Sequence, residues 1–312
     1  MKKFLLLSPL VAMLGLMACE SDNDQQIQIR FQVPVINIVS NLQSGETSAT
    51  KGTYLMNLIY TGADGTGEIS SNDLVLNASN MTLTTQESPF GGNSWLGSAY
   101  FKNVKGTVSG NNSYDITNSL FYSTPFYFYT PAHAGNYTYT PIYINTAMGA
   151  ISQPVLIANY TLGNDYQVRT FPGDAFFAGK TQTQYDANGN TMTNTAEDIV
   201  YRVFFESDLS KANMVIYNAR FSGNPNEPLK EAIIIKGLNV EYSTSGITIS
   251  GSNLIPDVVE GLATTPYPDY IFNDIVFRTT DKNLTLCTIS YQVAGRYYGS
   301  FSGSYINDNY FN

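Results

Sequence analysis

The second half of the chain is a series of short runs in which β-branched and aromatic residues alternate with polar ones, a pattern that predicts β-strands. Turn-forming residues separate the runs, as at Asn188-Gly189 and Ala294-Gly295. The predicted strands are Phe176 to Tyr185, Ile199 to Glu206, Met214 to Phe221, Ile233 to Tyr242, Gly246 to Ser250, Ile271 to Arg278, Asn283 to Val293 and Arg296 to Tyr305.

Two runs carry further predictions about burial. Leu284 to Val293 is rich in apolar residues on both faces, which favours a central or interface strand. Alternation along Met214 to Phe221 predicts one shared face, made of Val215, Tyr217, Ala219 and Phe221.

Similar segments recur along the chain at a nearly constant spacing. The segment at Met81 matches that at Met214, and Ile142 to Ile144 matches Ile275 to Phe277, both at an offset of 133. Lys102 matches Lys236 at an offset of 134, and Tyr160 matches Tyr291 at 131. Several matches in one order at one spacing indicate a duplicated unit.

The offset grows to about 145 toward the start of each unit, which fits an extra glycine-containing loop at 61–72 in the first copy. We therefore expect a first β-unit at residues 27–171 and a second at 172–312. Short connections between about eight strands in each unit favour antiparallel neighbours. The predicted class is all-β, with two tandem antiparallel units that are barrel-like, or β-sandwiches as the alternative.

The N-terminal segment has the features of an export signal. Two lysines precede a mostly apolar run, and the stretch is too short to span a bilayer comfortably, so residues 1–18 are predicted to be a signal peptide. Leu16-Met17-Ala18-Cys19 resembles a bacterial lipobox, in which the cysteine is lipidated and becomes the mature N-terminus. The alternative is an ordinary signal peptide with an incidental cysteine at position 19.

An acidic tether is predicted at residues 19–26. Its run from Glu20 to Asp24 resembles the signal that sends lipoproteins of the Bacteroides group to the outer face of the outer membrane; the alternative is a plain solvated spacer. Removal of residues 1–18 would take away Lys2 and Lys3 but no acidic residue, and would shift the net charge from -9 to -11. The expected location is the outer membrane, by a lipid anchor and facing the cell exterior.

Composition narrows the classes of partner. A chain with 43% apolar residues can bury a core, while the excess of acidic residues argues against nucleic acid, because phosphate binding needs clustered lysine and arginine. We expect no nucleic-acid partner and no cofactor.

Several isolated features resemble catalytic or metal sites without completing the pattern. His133 lacks companion ligands at metal spacing, and Cys287 falls on Leu156 in the repeat, which predicts a buried core thiol. Carboxylates such as Glu197, Asp198, Glu206 and Asp208 offer no acid pair matched in the repeat, so an enzyme is not expected. A weak calcium-loop candidate has a threonine where glycine is needed: Asp186, Asn188, Asn190 and Glu197.

The strongest interaction candidate is an aromatic segment at 121–143, with nine aromatic residues where average composition would give about three. The equivalent stretch of the second unit is poorer in them, which indicates a task specific to the first copy; the alternative is packing within or between the units. The candidate ligand-binding residues are Tyr122, Tyr127, Tyr129, Tyr137 and Tyr139.

A polar hairpin at 185–190, the Tyr267-Pro268-Asp269-Tyr270 segment and the closing strand pair at 291–305 together resemble the calycin-like or lipocalin-like lipoproteins of Bacteroides-type bacteria. This resemblance implies barrel-like units on a lipid anchor and no catalytic residues; fimbrillin-type lipoproteins, with two β-sandwiches, are the nearest rival. The expected function is non-enzymatic binding of a glycan or lipid. A structural or adhesive surface role and a carboxylate-based hydrolase are the alternatives.

Overall fold

A computed structural model describes residues 26–61, 77–85, 98–105, 113–115, 120–123, 126–129, 134–137, 139–148, 154–187, 189–222 and 230–306, with side chains at 33–53, 157–161, 163–186, 189–222 and 230–306. Regular structure in these ranges is β-strand apart from one 3-10 turn at Pro268–Tyr270, which confirms the all-β class. Across them, no helix has the length and apolarity to cross a bilayer.

The first sheet is antiparallel, with the strand order β5-β9-β10-β11-β1-β2-β3-β4-β6, and a separate hairpin pairs β7 with β8. Its strands are β1 Gln26–Asn41, β2 Thr47–Thr61, β3 Asn77–Thr85, β4 Ser98–Lys105, β5 Ser113–Asp115, β6 Leu120–Ser123, β9 Tyr139–Met148, β10 Pro154–Leu162 and β11 Tyr166–Phe171, and the hairpin comprises β7 Phe126–Tyr129 and β8 Ala134–Tyr137.

The second sheet closes on itself as an eight-stranded antiparallel barrel. The ring order is β12-β14-β15-β16-β17-β20-β21-β22, with β22 hydrogen-bonded back to β12. Three short strands lie outside the ring, since β13 pairs with β12, and the β18–β19 hairpin extends from β16. The second-sheet strands are β12 Asp174–Ala187, β13 Asn190–Ala196, β14 Val200–Phe205, β15 Lys211–Ala219, β16 Lys230–Ser243, β17 Gly246–Gly251, β18 Asp257–Glu260, β19 Ala263–Pro266, β20 Phe272–Thr279, β21 Leu286–Val293 and β22 Tyr297–Ile306.

The two sheets repeat the same strand order. Eight consecutive strands of the first sheet, β9-β10-β11-β1-β2-β3-β4-β6, match β20-β21-β22-β12-β14-β15-β16-β17 of the barrel one for one. In the barrel the two ends of this series, β17 and β20, are also paired, and this pairing completes the ring.

The register of the strands repeats as well. Tyr139 pairs with Leu162 in the first sheet, and Phe272 pairs with Val293 in the barrel, which reproduces the sequence offsets of 133 and 131. Each ladder is then interrupted close to this end, after the pair made by Tyr160 in the first sheet and after the pair made by Gln292 in the barrel. The equal strand order and register show that the β-units are internally repeated.

The chain passes from the first sheet to the barrel between β11 and β12. Two paired residues of the first sheet hydrogen-bond to loops at one end of the barrel: Asn159 donates to the backbone oxygen of Lys282 at 3.2 Å, and Arg169 donates through Nη2 to the backbone oxygen of Ser243 at 2.6 Å. Arg169 is fully buried, and its Nε has no hydrogen-bond partner. Successive connections of an up-and-down barrel lie at alternate ends. The β16–β17 connection, which follows Ser243, and the β20–β21 connection, which holds Lys282, therefore lie at one end, and the connection between them in sequence lies at the other end, away from these contacts.

Inward-facing side chains fill the middle of the barrel. The rings of Tyr201 and Phe301 lie 4.5 Å apart between centroids, and those of Phe177 and Phe277 lie 5.4 Å apart. Cys287 is buried in the same core, which confirms its predicted role as a small apolar residue.

Two burial predictions were wrong. In β15, Met214 and Ile216 belong to the core, whereas Val215 and Tyr217 lie on the opposite face. The positive φ of 56° at Asn218 then shifts the alternation, so that Ala219 and Phe221 also belong to the core. β21 buries alternate residues only, as expected for a barrel wall with one solvent-facing side.

Gly299 leaves room for a buried ring in this core. A Cβ at this position would fall on the ring of Tyr291, with the Tyr291 hydroxyl at 2.8 Å. We expect Gly299→Ala to lower the free energy of unfolding by about 1–3 kcal/mol through overpacking, measured by urea denaturation. Gly173→Ala is the control: its Cβ would meet nothing within 4 Å, and it should change stability by less than about 0.5 kcal/mol. Equal effects of the two variants would contradict the packing described for Tyr291.

Candidate functional site

The end of the barrel away from its contacts with the first sheet is rich in aromatic residues, and we call this set the barrel mouth. Its members come from three connections and strand ends: the exit of β15, the segment around the 3-10 turn, and the adjoining ends of β20, β21 and β22. The barrel mouth consists of Phe221, Tyr267, Tyr270, Phe272, Tyr291 and Tyr297.

Local backbone structure places these rings. The positive φ at Asn218 restores an inward direction for Phe221. Tyr267 donates its backbone N–H to the oxygen of Pro256 at 2.8 Å, and the N–H of Tyr270 donates back to Tyr267 at 3.1 Å. Pro268 supplies a fixed φ at the start of this tight turn, which holds the two tyrosines side by side.

Phe221 is the centre of the barrel mouth. Its ring centroid lies 5.5 Å from Tyr270, 5.8 Å from Tyr297, 6.1 Å from Phe272 and 6.2 Å from Tyr291. Tyr267 extends the cluster outward, with its ring 4.8 Å from that of Tyr270 in an edge-to-face arrangement. The spacings are those of attractive aromatic pairs.

Burial divides the barrel mouth into an inner and an outer layer. Phe221, Phe272 and Tyr291 are buried, whereas Tyr267, Tyr270 and Tyr297 are half-buried. The outer tyrosines therefore combine a ring partly accessible to solvent with a rigid base of rings beneath it. Such a surface can stack against another flat apolar face.

Charges beside the barrel mouth are largely paired. Lys230 lies 5.2 Å above the ring centroid of Tyr267 and donates to Glu260 at 2.9 Å. Arg220 forms a bidentate ion pair with Asp198. The guanidinium of Arg296, which is exposed, lies 4.9 Å from the ring centroid of Tyr297. The mouth thus presents aromatic faces with little unbalanced charge.

Beneath the inner layer, two tyrosine hydroxyls meet in the core. The hydroxyls of Tyr201 and Tyr291 are 2.9 Å apart, and Thr181 lies 3.4 Å from the first of them. Burial raises the pKa of Tyr201 to about 12 and that of Tyr291 well above its ordinary value. Burial, with a smaller effect of Asp281, also raises the pKa of Cys287.

These raised pKa values predict a loss of stability in alkali. Above about pH 9 the unfolded chain would release the protons of Cys287, Tyr201 and Tyr291 while the folded protein retains them, so the free energy of unfolding should fall as pH rises. Each group contributes at most about 1.4 kcal/mol per pH unit. Urea denaturation between pH 7 and 11 measures the slope, and Tyr291→Phe should make it shallower. An unchanged free energy up to pH 11 would contradict the burial of these groups.

The predicted ligand-binding tyrosines lie in the first unit, in strands for which the structure gives the backbone alone. Tyr122 is in β6 and Tyr139 begins β9. In the β7–β8 hairpin, Tyr127 and Tyr129 occupy one face, whereas Tyr137 pairs with Phe126 and occupies the other. The register therefore divides these three tyrosines between the two faces of the hairpin.

The calcium candidate occupies a β-hairpin. Asp186 pairs with Thr191 across the β12–β13 ladder and accepts a hydrogen bond from its hydroxyl at 3.2 Å. Gly189 has a φ of 79°, which suits the turn of a tight hairpin; Asn188 lies outside the described residues. Asn190 begins β13 and Glu197 follows its end, so the four residues do not form one loop. The described ranges contain no group of three or more His, Cys, Asp or Glu side chains placed to hold a metal ion.

The acidic residues considered for catalysis lie at opposite ends of a strand. Glu197 and Asp198 precede β14, and Glu206 and Asp208 follow it, roughly 20 Å away at about 3.3 Å per residue. Asp208 accepts from Ser210 and has a lowered pKa for that reason. His133 and Cys19 lie outside the described residues.

The barrel mouth itself was not singled out from sequence. Phe221 and Tyr297 are isolated in the sequence, and no local motif connects them. The sequence repeat could have indicated two residues of the barrel mouth, because at the offset of 133 Tyr137 matches Tyr270 and Tyr139 matches Phe272.

Comparison of the chain with family models, with curated proteins and with solved structures found no match. The resemblance to calycin-like lipoproteins therefore stays a prediction. The closed barrel and its aromatic mouth supply the structural basis for a function.

Proposed function

We propose that the protein is a lipid-anchored, non-enzymatic binding protein of the outer cell surface that holds a neutral carbohydrate at the barrel mouth. The observation that carries this proposal is the half-buried layer of Tyr267, Tyr270 and Tyr297 on a base of buried rings. The anchor and location rest on the sequence features at residues 1–26.

Carbohydrate fits the shape and chemistry of this layer. Sugar rings have flat C–H faces that stack on aromatic rings, and tyrosine adds a hydroxyl that can hydrogen-bond to sugar hydroxyls. The tyrosines are held by ring–ring contacts, so little side-chain freedom would be lost on binding. A rigid aromatic surface is therefore well suited to a polar, ring-shaped ligand.

The barrel interior supports carbohydrate over lipid. An acyl chain needs an apolar cavity, and the described interior positions are occupied by Tyr201, Tyr291, Phe301 and their neighbours. Lys230 and Arg220, beside the mouth, are each paired with a carboxylate, which reduces the positive charge that they could offer to an acidic sugar. A neutral glycan bound at the rim is the ligand class these features favour.

The tether would hold the start of the first sheet close to the membrane surface. First-sheet strand β1 begins at Gln26, so the segment after Cys19 can reach at most about 25 Å when extended. The acidic tether would keep the barrel in solvent while the lipid holds its N-terminus.

Binding should depend on the outer tyrosines. We expect Tyr267→Ala to weaken binding of a neutral oligosaccharide by about tenfold or more, which corresponds to about 1.4 kcal/mol. Isothermal titration calorimetry with maltoheptaose, laminariheptaose, xylohexaose and mannohexaose would measure it. Tyr267 is at the edge of the cluster, so its removal should leave the fold intact.

Tyr298→Ala is the matched control, since Tyr298 is an exposed tyrosine on β22 next to Tyr297 but outside the barrel mouth. Its affinity should equal that of wild type. Failure of all four sugars to bind, or equal loss in both variants, would refute the proposed site. Self-association of the purified chain without sugar binding would instead support the adhesive role.

A further inference from the structure

The barrel mouth has counterparts in the first unit that the shared register identifies. Tyr139 is equivalent to Phe272, because each is the first residue of its strand. Tyr139 pairs with Leu162 of the following strand, as Phe272 pairs with Val293. In the following ladder, Leu162 pairs with Tyr166 as Val293 pairs with Tyr297. The pairing of backbone positions, independent of residue type, thus aligns aromatic residues with aromatic residues.

Two further positions follow from the same alignment. Tyr160 pairs with Val168 as Tyr291 pairs with Gly299, so Tyr160 is equivalent to Tyr291. Tyr137 stands two residues before Tyr139, as Tyr270 stands two residues before Phe272. Four of the six barrel-mouth positions are therefore aromatic in both units, the first-unit set being Tyr137, Tyr139, Tyr160 and Tyr166.

Burial agrees between the copies where side chains are described. Tyr160 is buried, as Tyr291 is, and Tyr166 is half-buried, as Tyr297 is. The inner and outer layers of the barrel mouth thus recur at these two positions. A duplicated core alone would explain why Tyr160 and Tyr291 are both buried tyrosines. That Tyr166 and Tyr297 are both half-buried tyrosines extends the similarity to the outer layer.

The first unit adds aromatic residues beside this set. The β7–β8 hairpin lies between β6 and β9, as the β18–β19 hairpin lies between β17 and β20. All four residues of β7 are aromatic, whereas β18 has none. The hairpin ends at Tyr137, two residues before Tyr139 begins β9, so it adds aromatic residues next in sequence to this set.

We propose that the first unit carries a second carbohydrate-binding mouth, built on Tyr137, Tyr139 and Tyr166, and that the protein is bivalent for a polymeric neutral glycan. This inference rests on the proposed function. Two sites on one chain would hold a repeating polymer at once, and the second contact would form within the complex at a high effective concentration. Long chains would then bind far more tightly than short ones with no new type of contact.

Calorimetry on the full chain tests bivalency, with the four oligosaccharides named above and their parent polymers soluble starch, laminarin, xylan and mannan. Wild type should bind two oligosaccharides per chain. Tyr137→Ala and Tyr267→Ala should each leave one site at unchanged affinity. Each variant should also bind the polymer about a hundredfold more weakly than wild type.

A further first-unit variant, Tyr166→Ala, guards against misfolding of Tyr137→Ala, and thermal unfolding reports the integrity of both. Bivalency would be overturned if wild type bound one oligosaccharide per chain, if both first-unit variants bound it unchanged, and if Tyr267→Ala lost binding. The proposed function would then still stand. Unchanged binding in all three variants would overturn both.

Discussion

The Phe221→Ala variant should unfold with a free energy about 3–5 kcal/mol lower than wild type, because it removes the central ring of the barrel mouth. Phe221 is 1% exposed and lies within 6.2 Å of four other aromatic rings. Few neighbours could relax into the space, since the surrounding rings are held by strand ends. Urea denaturation of the soluble protein measures the difference.

The control is Phe204→Ala, which removes a half-buried ring on the outer face of β14, 5.2 Å from the guanidinium of Arg202. It should cost about 1 kcal/mol, in line with a surface ring that loses partial burial. The two variants together test whether the alternation of inward and outward residues shifts at Asn218. If Phe221 faced outward with Val215 and Tyr217, as simple alternation predicts, both variants would lower the free energy of unfolding by similar amounts.

Replacement of Cys19 by alanine should abolish membrane attachment. The lipobox makes Cys19 the sole anchor in the proposal, and the net charge of -11 on a processed chain would not favour its attachment to anionic lipid. Cell fractionation should move the protein from the membrane to the soluble fraction almost completely. Cys287→Ala is the matched control and should stay membrane-bound, because Cys287 is a buried core residue.

Persistent membrane association of Cys19→Ala would refute the lipid anchor. Proteinase accessibility on intact cells tests the orientation separately: wild type should be digested, and protection of the wild-type protein would place it on the inner face of the membrane. Neither result would alter the barrel fold.

The strands of the second unit were predictable because local sequence determines them. All eight predicted runs overlap a strand of the barrel ring, and the turns at Asn188-Gly189 and Ala294-Gly295 separate strands as expected. The repeat was also readable, since the residues Met81 and Met214 mark equivalent strands. A pattern of alternation and turns leaves the choice of barrel or sandwich open, and the β12–β22 pairing that closes the ring joins strands from opposite ends of the unit's sequence.

The site was much harder to predict. The reversal at Asn218 depends on one residue in a left-handed conformation, which the alternation along β15 does not encode. Phe221, Tyr267 and Tyr297 come from three connections and meet only when the barrel closes. The aromatic segment of the first unit was conspicuous in sequence, yet its relation to a site emerged through the register that links Tyr139 to Phe272.

Native mass spectrometry of the protein purified from its own cell envelope tests carbohydrate binding at the barrel mouth most directly. We expect a mass above that of the chain and its anchor by a multiple of a neutral sugar residue. The Tyr267→Ala variant from the same cells should lose part of this mass, whereas Tyr298→Ala should retain it. A wild-type mass equal to that of the lipidated chain alone, or an added fatty acid that persists in Tyr267→Ala, would contradict it.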